Sequence, residues 1–215
     1  MDQIDKIITI LKRENKNYIM PIVTIISKAK SPFKVLISCL LSLRTKDKVT
    51  AEASNRLFKL AGTPQQMLNI STKDIEKAIY PVGFYITKSK RIKEICRTLL
   101  NDYEGTVPDE IDELLKLKGV GRKTANLVVT LGYGKLGICV DTHVHRISNR
   151  LGLVRTKTPE QTEFSLRKKL PGKYWIIYND LLVTYGQNIC APISPWCSKC
   201  KIFKYCKRVG VEKFR

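Results

Sequence analysis

The stretch Leu117-Lys118-Gly119-Val120-Gly121-Arg122-Lys123-Thr124-Ala125 constrains this chain more than any other. Two glycines enclose one apolar residue. Before them stands an apolar face at Ile111, Leu114 and Leu115, and after them a small and apolar run over 124–132. Helical spacing on one side and a buried run without alternation on the other predict helix, tight turn, helix. Glycine has no Cβ to stand between its backbone and an anion, and the second helix adds the positive end of its dipole. Gly119, Val120 and Gly121, followed by Arg122 and Thr124, are therefore candidate contacts to a phosphate backbone. Contacts of this kind fix position and carry no sequence information.

The rest of the chain is patterned for helices. Ile4, Ile7, Ile8 and Leu11 recur at three- and four-residue spacing. Val23 to Leu43 is apolar and helical in spacing around Pro32, and Ile92, Ile95, Leu99 and Leu100 form an apolar face in a basic segment. Thr63-Pro64-Gln65-Gln66 and Thr158-Pro159-Glu160-Gln161 share one start design, with Thr as N-cap and Pro at the first helical position. Ser71 with Asp74 marks another start. Leu127–Thr130 and Ile138–Val140 are the only strand candidates, and the first reads better as buried helix. The expected class is all-α, with a short irregular tail through Pro192 and Pro195.

Lys and Arg number 39 against 19 Asp and Glu, a net charge of +20. That excess points to a polyanionic partner, nucleic acid or an anionic membrane surface, unless it reflects a generally Lys-rich proteome. No apolar run approaches the roughly 18 residues of a membrane span, and no secretory leader is evident. A cytoplasmic protein is expected.

Lys123 follows the turn directly, and Asp141 lies eighteen residues further on. A positioned amine is a nucleophile and a carboxylate can assist it. On spacing alone Lys123 serves equally well as a phosphate contact. Asp141-Thr142 before an apolar-periodic segment is also a helix-cap pattern.

Seven cysteines divide unevenly. Cys39, Cys96 and Cys139 sit singly in apolar surroundings and read as small core residues. Cys190, Cys197, Cys200 and Cys206 crowd into C-x6-C-x2-C-x5-C, which favours a metal site over disulfides in a cytosolic chain. Four thiolates suit zinc or an iron–sulfur cluster, and spacing alone leaves both open. His143 and His145, two apart, do not share a helical face and read as structural.

Taken together, these strings resemble the endonuclease III family of DNA glycosylases, in the helix-hairpin-helix, Gly/Pro-rich, Asp superfamily. Gly119–Asn126 and Val140-Asp141-Thr142-His143 carry the likeness, with Leu41-Ser42, Gly83-Phe84-Tyr85 and Lys88, Tyr185-Gly186-Gln187 and the four clustered cysteines. The resemblance covers nearly the whole chain in the family's order. It implies a two-lobed fold: a six-helix lobe over 25–135, and a second lobe from 1–24 plus 136–215 with a cluster loop at 190–206. DNA would lie against the cleft between them. It implies Lys123 as nucleophile, Asp141 as supporting carboxylate, a [4Fe-4S] cluster on Cys190, Cys197, Cys200 and Cys206, and a monomer acting on double-stranded DNA with damaged bases or abasic sites. Lys199, Lys201, Lys204, Lys207 and Arg208 would face the DNA backbone. Arg44 and Phe84 fall where family members insert side chains into the gap left by an extruded base. Arg44 stands where Gln is frequent, and Lys118 where Pro is frequent. The implied activity is base excision followed by strand cleavage. The competing expectations are a glycosylase that only removes a base, including mismatch enzymes, and a non-catalytic DNA-binding module with a structural metal.

Overall fold

The computed structural model describes residues 2–27 and 31–215. The part of the predicted 23–43 helical stretch at 28–30 lies outside them. The described residues contain helices and turns and no strand, as the patterning predicted. The alternative of a strand at Ile138–Val140 fails: these residues are buried but unladdered, and Asn179 Nδ2 donates to the Cys139 carbonyl at 3.3 Å. The chain folds as two compact units, Ile22–Lys135 and Met1–Pro21 with Leu136–Arg215. The break falls at Pro21 rather than at 24, because the helix beginning at Ile22 belongs to the first of these units.

Unit Ile22–Lys135 holds α2 (Ile22–Ser27), α3 (Pro32–Ser42), α4 (Asp47–Leu60), α5 (Pro64–Asn69), α6 (Thr72–Ile79), α7 (Tyr85–Asp102), α8 (Ile111–Lys116) and α9 (Arg122–Leu127). Its centre is α3, where every residue from Val35 to Leu41 is buried. A helix apolar all round has to be enclosed, and α2, α4, α7 and α9 pack around it. α9 runs on into a π-helical segment, Val128–Gly132. This fulfils the expectation of buried helix at 124–132 with a wider final turn. Gly132 allows a close approach there, since a Cβ would lie 3.1 Å from Pro32 Cα, tighter than an ordinary contact.

The other unit contains α1 (Gln3–Glu14), α10 (Thr142–Leu151), α11 (Pro159–Lys169) and α12 (Trp175–Asn188), followed by short 3-10 turns. Ile4, Ile7, Ile8 and Leu11 form the buried face of α1 and join Val144, Ile147, Tyr178, Leu182 and Tyr185 in one core.

The capping signals are realised. Thr63 and Thr158 accept from the backbone N–H of Gln66 and Gln161, each at 3.2 Å. Each glutamine reaches back to the residue before the cap, Gly62 or Lys157, at 2.9 Å. Ser71 accepts from Asp74 N at 3.1 Å. Each such cap stabilises its helix by about 1 kcal/mol.

Candidate active site and cysteine loop

The hairpin turn is built as its glycines require. Gly119 has φ +85°, a conformation that favours glycine, and a Cβ there would lie 3.1 Å from the Arg91 side chain. Val120 is buried and anchors the turn, its N–H bonded to the Leu117 carbonyl at 3.0 Å. Gly121 caps α9 at φ −103°, an ordinary backbone, and a Cβ there would meet nothing within 4 Å. The two glycines thus serve different ends. Gly119 makes the turn possible, and Gly121 leaves open space in front of the helix start.

Lys118, the departure from the family pattern, is exposed, and its ammonium stands 4.0 Å from Glu94. Glu94 also pairs with Arg91 at 2.7 Å, the residue lying against Gly119. Lys123 occupies the first turn of α9 and is partly exposed, whereas Thr124 is buried. Behind Lys123 lies the buried Cys39 thiol of α3. Burial pushes this thiol up to about 12, with the nearby Lys123 charge pulling it down. Cys39, Cys96 and Cys139 are all buried, as expected of small core residues.

Arg44 and Phe84 come together within the same unit. Both have left-handed backbones, φ 53° and 59°. The Arg44 guanidinium carbon lies 5.6 Å from the centre of the Phe84 ring. Phe84 is 62% exposed, so its ring is not part of the core.

In the other unit, Asp141 is the N-cap of α10. Its Oδ1 accepts from His143 N and Val144 N, each at 2.9 Å. Both cap bonds fall on one oxygen, so Oδ2 makes neither. His143 and His145 bond to Arg146 and to Thr162 respectively, in keeping with structural roles.

The four clustered cysteines line one cavity with Arg150, Tyr185, Trp196 and Phe203. Among the described residues no three or more His, Cys, Asp or Glu side chains converge as ligands for a single ion. Donors surround the sulfurs: Arg150 Nη1 lies 3.3 Å from Cys190 Sγ and Tyr185 Oη 3.3 Å from Cys200 Sγ, and Arg208 N lies 3.4 Å from Cys206 Sγ. Arg150 also donates to the carbonyls of Ala191 and Pro192, both at 2.7 Å. Cations sit over the rings that line the cavity: Lys199 and Arg215 lie 4.4 and 4.0 Å from the centre of the Trp196 ring, and Arg208 lies 4.4 Å from that of Phe203. Sequence reasoning gave Arg150 and Lys88 no task, and neither bears a signal of burial in its residue type.

A family model described as HhH-GPD superfamily base excision DNA repair protein matches residues 37–172. The chain is 48% identical over 180 residues to Endonuclease III of Thermotoga maritima, covering 84% of both chains. It superposes on a trapped endonuclease III–DNA covalent intermediate with a TM-score of 0.77 and 36% identity, over 83% of this chain and 84% of that one. It also matches a thermostable thymine-DNA glycosylase, with a TM-score of 0.75 and 28% identity over 83% and 84% of the two chains.

Proposed function

This chain belongs to the endonuclease III family of the HhH-GPD base excision repair superfamily, and from that premise we propose that it excises oxidised pyrimidines from duplex DNA through Lys123 and Asp141 and then cleaves the strand. The observation that carries this reading is a lysine in the first turn of the hairpin's second helix, two residues past Gly121, where a Cβ would meet nothing within 4 Å.

A damaged base must leave the stack before it can be reached. Gly119 and Gly121, with Arg122, grip the backbone; Val120 and Thr124, expected among these contacts, are buried and hold the turn from behind, Val120 N–H being already bonded to Leu117. Arg44 and Phe84 fill the vacated space. The neutral Lys123 amine attacks C1′, and the base departs with the C1′–N bond electrons and takes a proton from water. Asp141 stabilises positive character at C1′ and takes the proton released by the amine. Asp141 passes that proton to O4′ as the sugar ring opens, leaving an iminium between Lys123 and C1′. That iminium acidifies the C2′ proton. Removal of this proton expels the 3′ phosphate by β-elimination, and water releases the enzyme.

Cys190, Cys197, Cys200 and Cys206 suit a [4Fe-4S] cluster better than zinc. Thiols spread around a common cavity match a group larger than one ion, and N–H and O–H donors aimed at the sulfurs support bound thiolates. Such a cluster would hold the loop in shape and present its basic side chains to the DNA backbone. The protein acts as a monomer wherever the cell keeps its DNA. No helix of the described residues is long and apolar enough to cross a membrane.

Lysine at position 123 separates this reading from a glycosylase that only removes a base. Duplexes bearing thymine glycol, dihydrouracil, uracil or thymine opposite guanine, or oxidised guanine, test the substrate. The two oxidised pyrimidines are expected to be excised and nicked fastest. Preference for thymine opposite guanine, with no nick, would replace this reading with that of a mismatch enzyme.

A further inference from the structure

Lys88 lies on α7, one turn past Phe84, and is only 6% exposed. Its ammonium donates to the carbonyls of Leu41 at 2.8 Å and Leu43 at 2.6 Å, and reaches Thr45 Oγ1 at 3.4 Å. Leu41 is in the last turn of α3, and Leu43, Arg44 and Thr45 form the loop that leaves it. Thr45 Oγ1 also accepts from Gly83 N at 3.2 Å, directly before Phe84. The two loops touch so closely that a Cβ on Gly83 would stand 2.7 Å from the Arg44 carbonyl. One buried cation is thus the hub of both loops that carry the exposed Arg44 and Phe84.

A solvated lysine would not be placed there. Burial pulls Lys88 down to about 8, so near neutral pH it still holds three protons for its three acceptors. Orphan carbonyls at a helix end are satisfied and turned inward by this cation. Both flanking left-handed residues are non-glycine and cost energy unless their surroundings hold them.

We propose that Lys88 is a positioning residue that locks the Arg44 and Phe84 loops into one rigid two-residue wedge and thereby sets how firmly the strand opposite the lesion is held open. The proposal rests on the wedge role given to Arg44 and Phe84 above. Lys88 touches no substrate. It acts through the backbone of 41–45 and through the bond from Gly83 N–H to Thr45.

The test uses a duplex with 2-aminopurine opposite a tetrahydrofuran abasic analogue, whose fluorescence rises on unstacking. Duplex excision and cleavage of a single-stranded abasic oligonucleotide are measured alongside. K88M and the near-isosteric T45V are compared with R44A and F84A. K88M is expected to lose most of the fluorescence rise and about tenfold in duplex excision. T45V should lose less of each, and single-strand cleavage should stay within about twofold for both. If K88M does not fold, T45V alone decides. If R44A and F84A lose the fluorescence rise while K88M and T45V keep it, Lys88 has no such role and the wedge stands without it. If R44A and F84A also keep it, the wedge reading falls and this proposal with it. Equal losses on duplex and single strand would show Lys88 to be merely structural and would overturn the proposal.

Discussion

Asp141 carries two tasks that a pair of substitutions separates. As N-cap it holds α10, and as a carboxylate it supports the chemistry assigned to it. Asn keeps the capping acceptor and removes the charge, so D141N should melt within a few degrees of wild type, bind DNA and lose excision by about 100-fold or more. D141A should lose excision equally and a further ~1 kcal/mol of stability. Thermal melts with single-turnover excision check both; retained excision in D141N would remove Asp141 from the chemistry. At this scale the sequence was legible where chemistry and spacing coincide. Lys123 after a Gly-x-Gly turn, and four cysteines at short intervals, stand out in one dimension. Arg150 does not, and Lys88 stands out only as part of the family likeness with its task hidden, because a lysine or arginine is read as surface until its acceptors are seen, and those acceptors are main-chain carbonyls of distant segments.

Among the elements, the hairpin gives the sharpest contrast. G119A forces a left-handed alanine against Arg91 and should cost about 1–2 kcal/mol of stability. G121A meets nothing within 4 Å at an ordinary φ. It should melt close to wild type yet bind DNA more weakly, because the added methyl stands where a phosphate approaches. Loss of stability without loss of binding in G121A would place the DNA elsewhere. In α3 the fully buried Leu36 should cost about 2–5 kcal/mol as L36A, measured by denaturant unfolding. Helix starts were legible because Thr-Pro and Ser-x-x-Asp state a local rule. The left-handed backbones at Arg44 and Phe84 were not, since neither residue is glycine and the loops are held by each other and by Lys88. The π-helical end of α9 was equally hidden: its Val-Val-Thr-Leu-Gly run fits any buried helix.

For the whole molecule, the net charge of +20 predicts phosphate-dominated binding. DNA affinity should fall by about 100-fold or more between 50 and 200 mM salt. The cysteine loop predicts brown protein with iron and sulfide in about equal amounts, four of each per chain. Colourless protein with one zinc would assign the loop to a different metal. The central claim is that Lys123 forms a covalent bond with the sugar, and borohydride reduction in the presence of abasic DNA reads that bond directly. Wild-type protein should yield a stable protein–DNA adduct, and K123Q should yield none while still binding the same DNA. An adduct undiminished in K123Q, or none with wild type, would contradict the account.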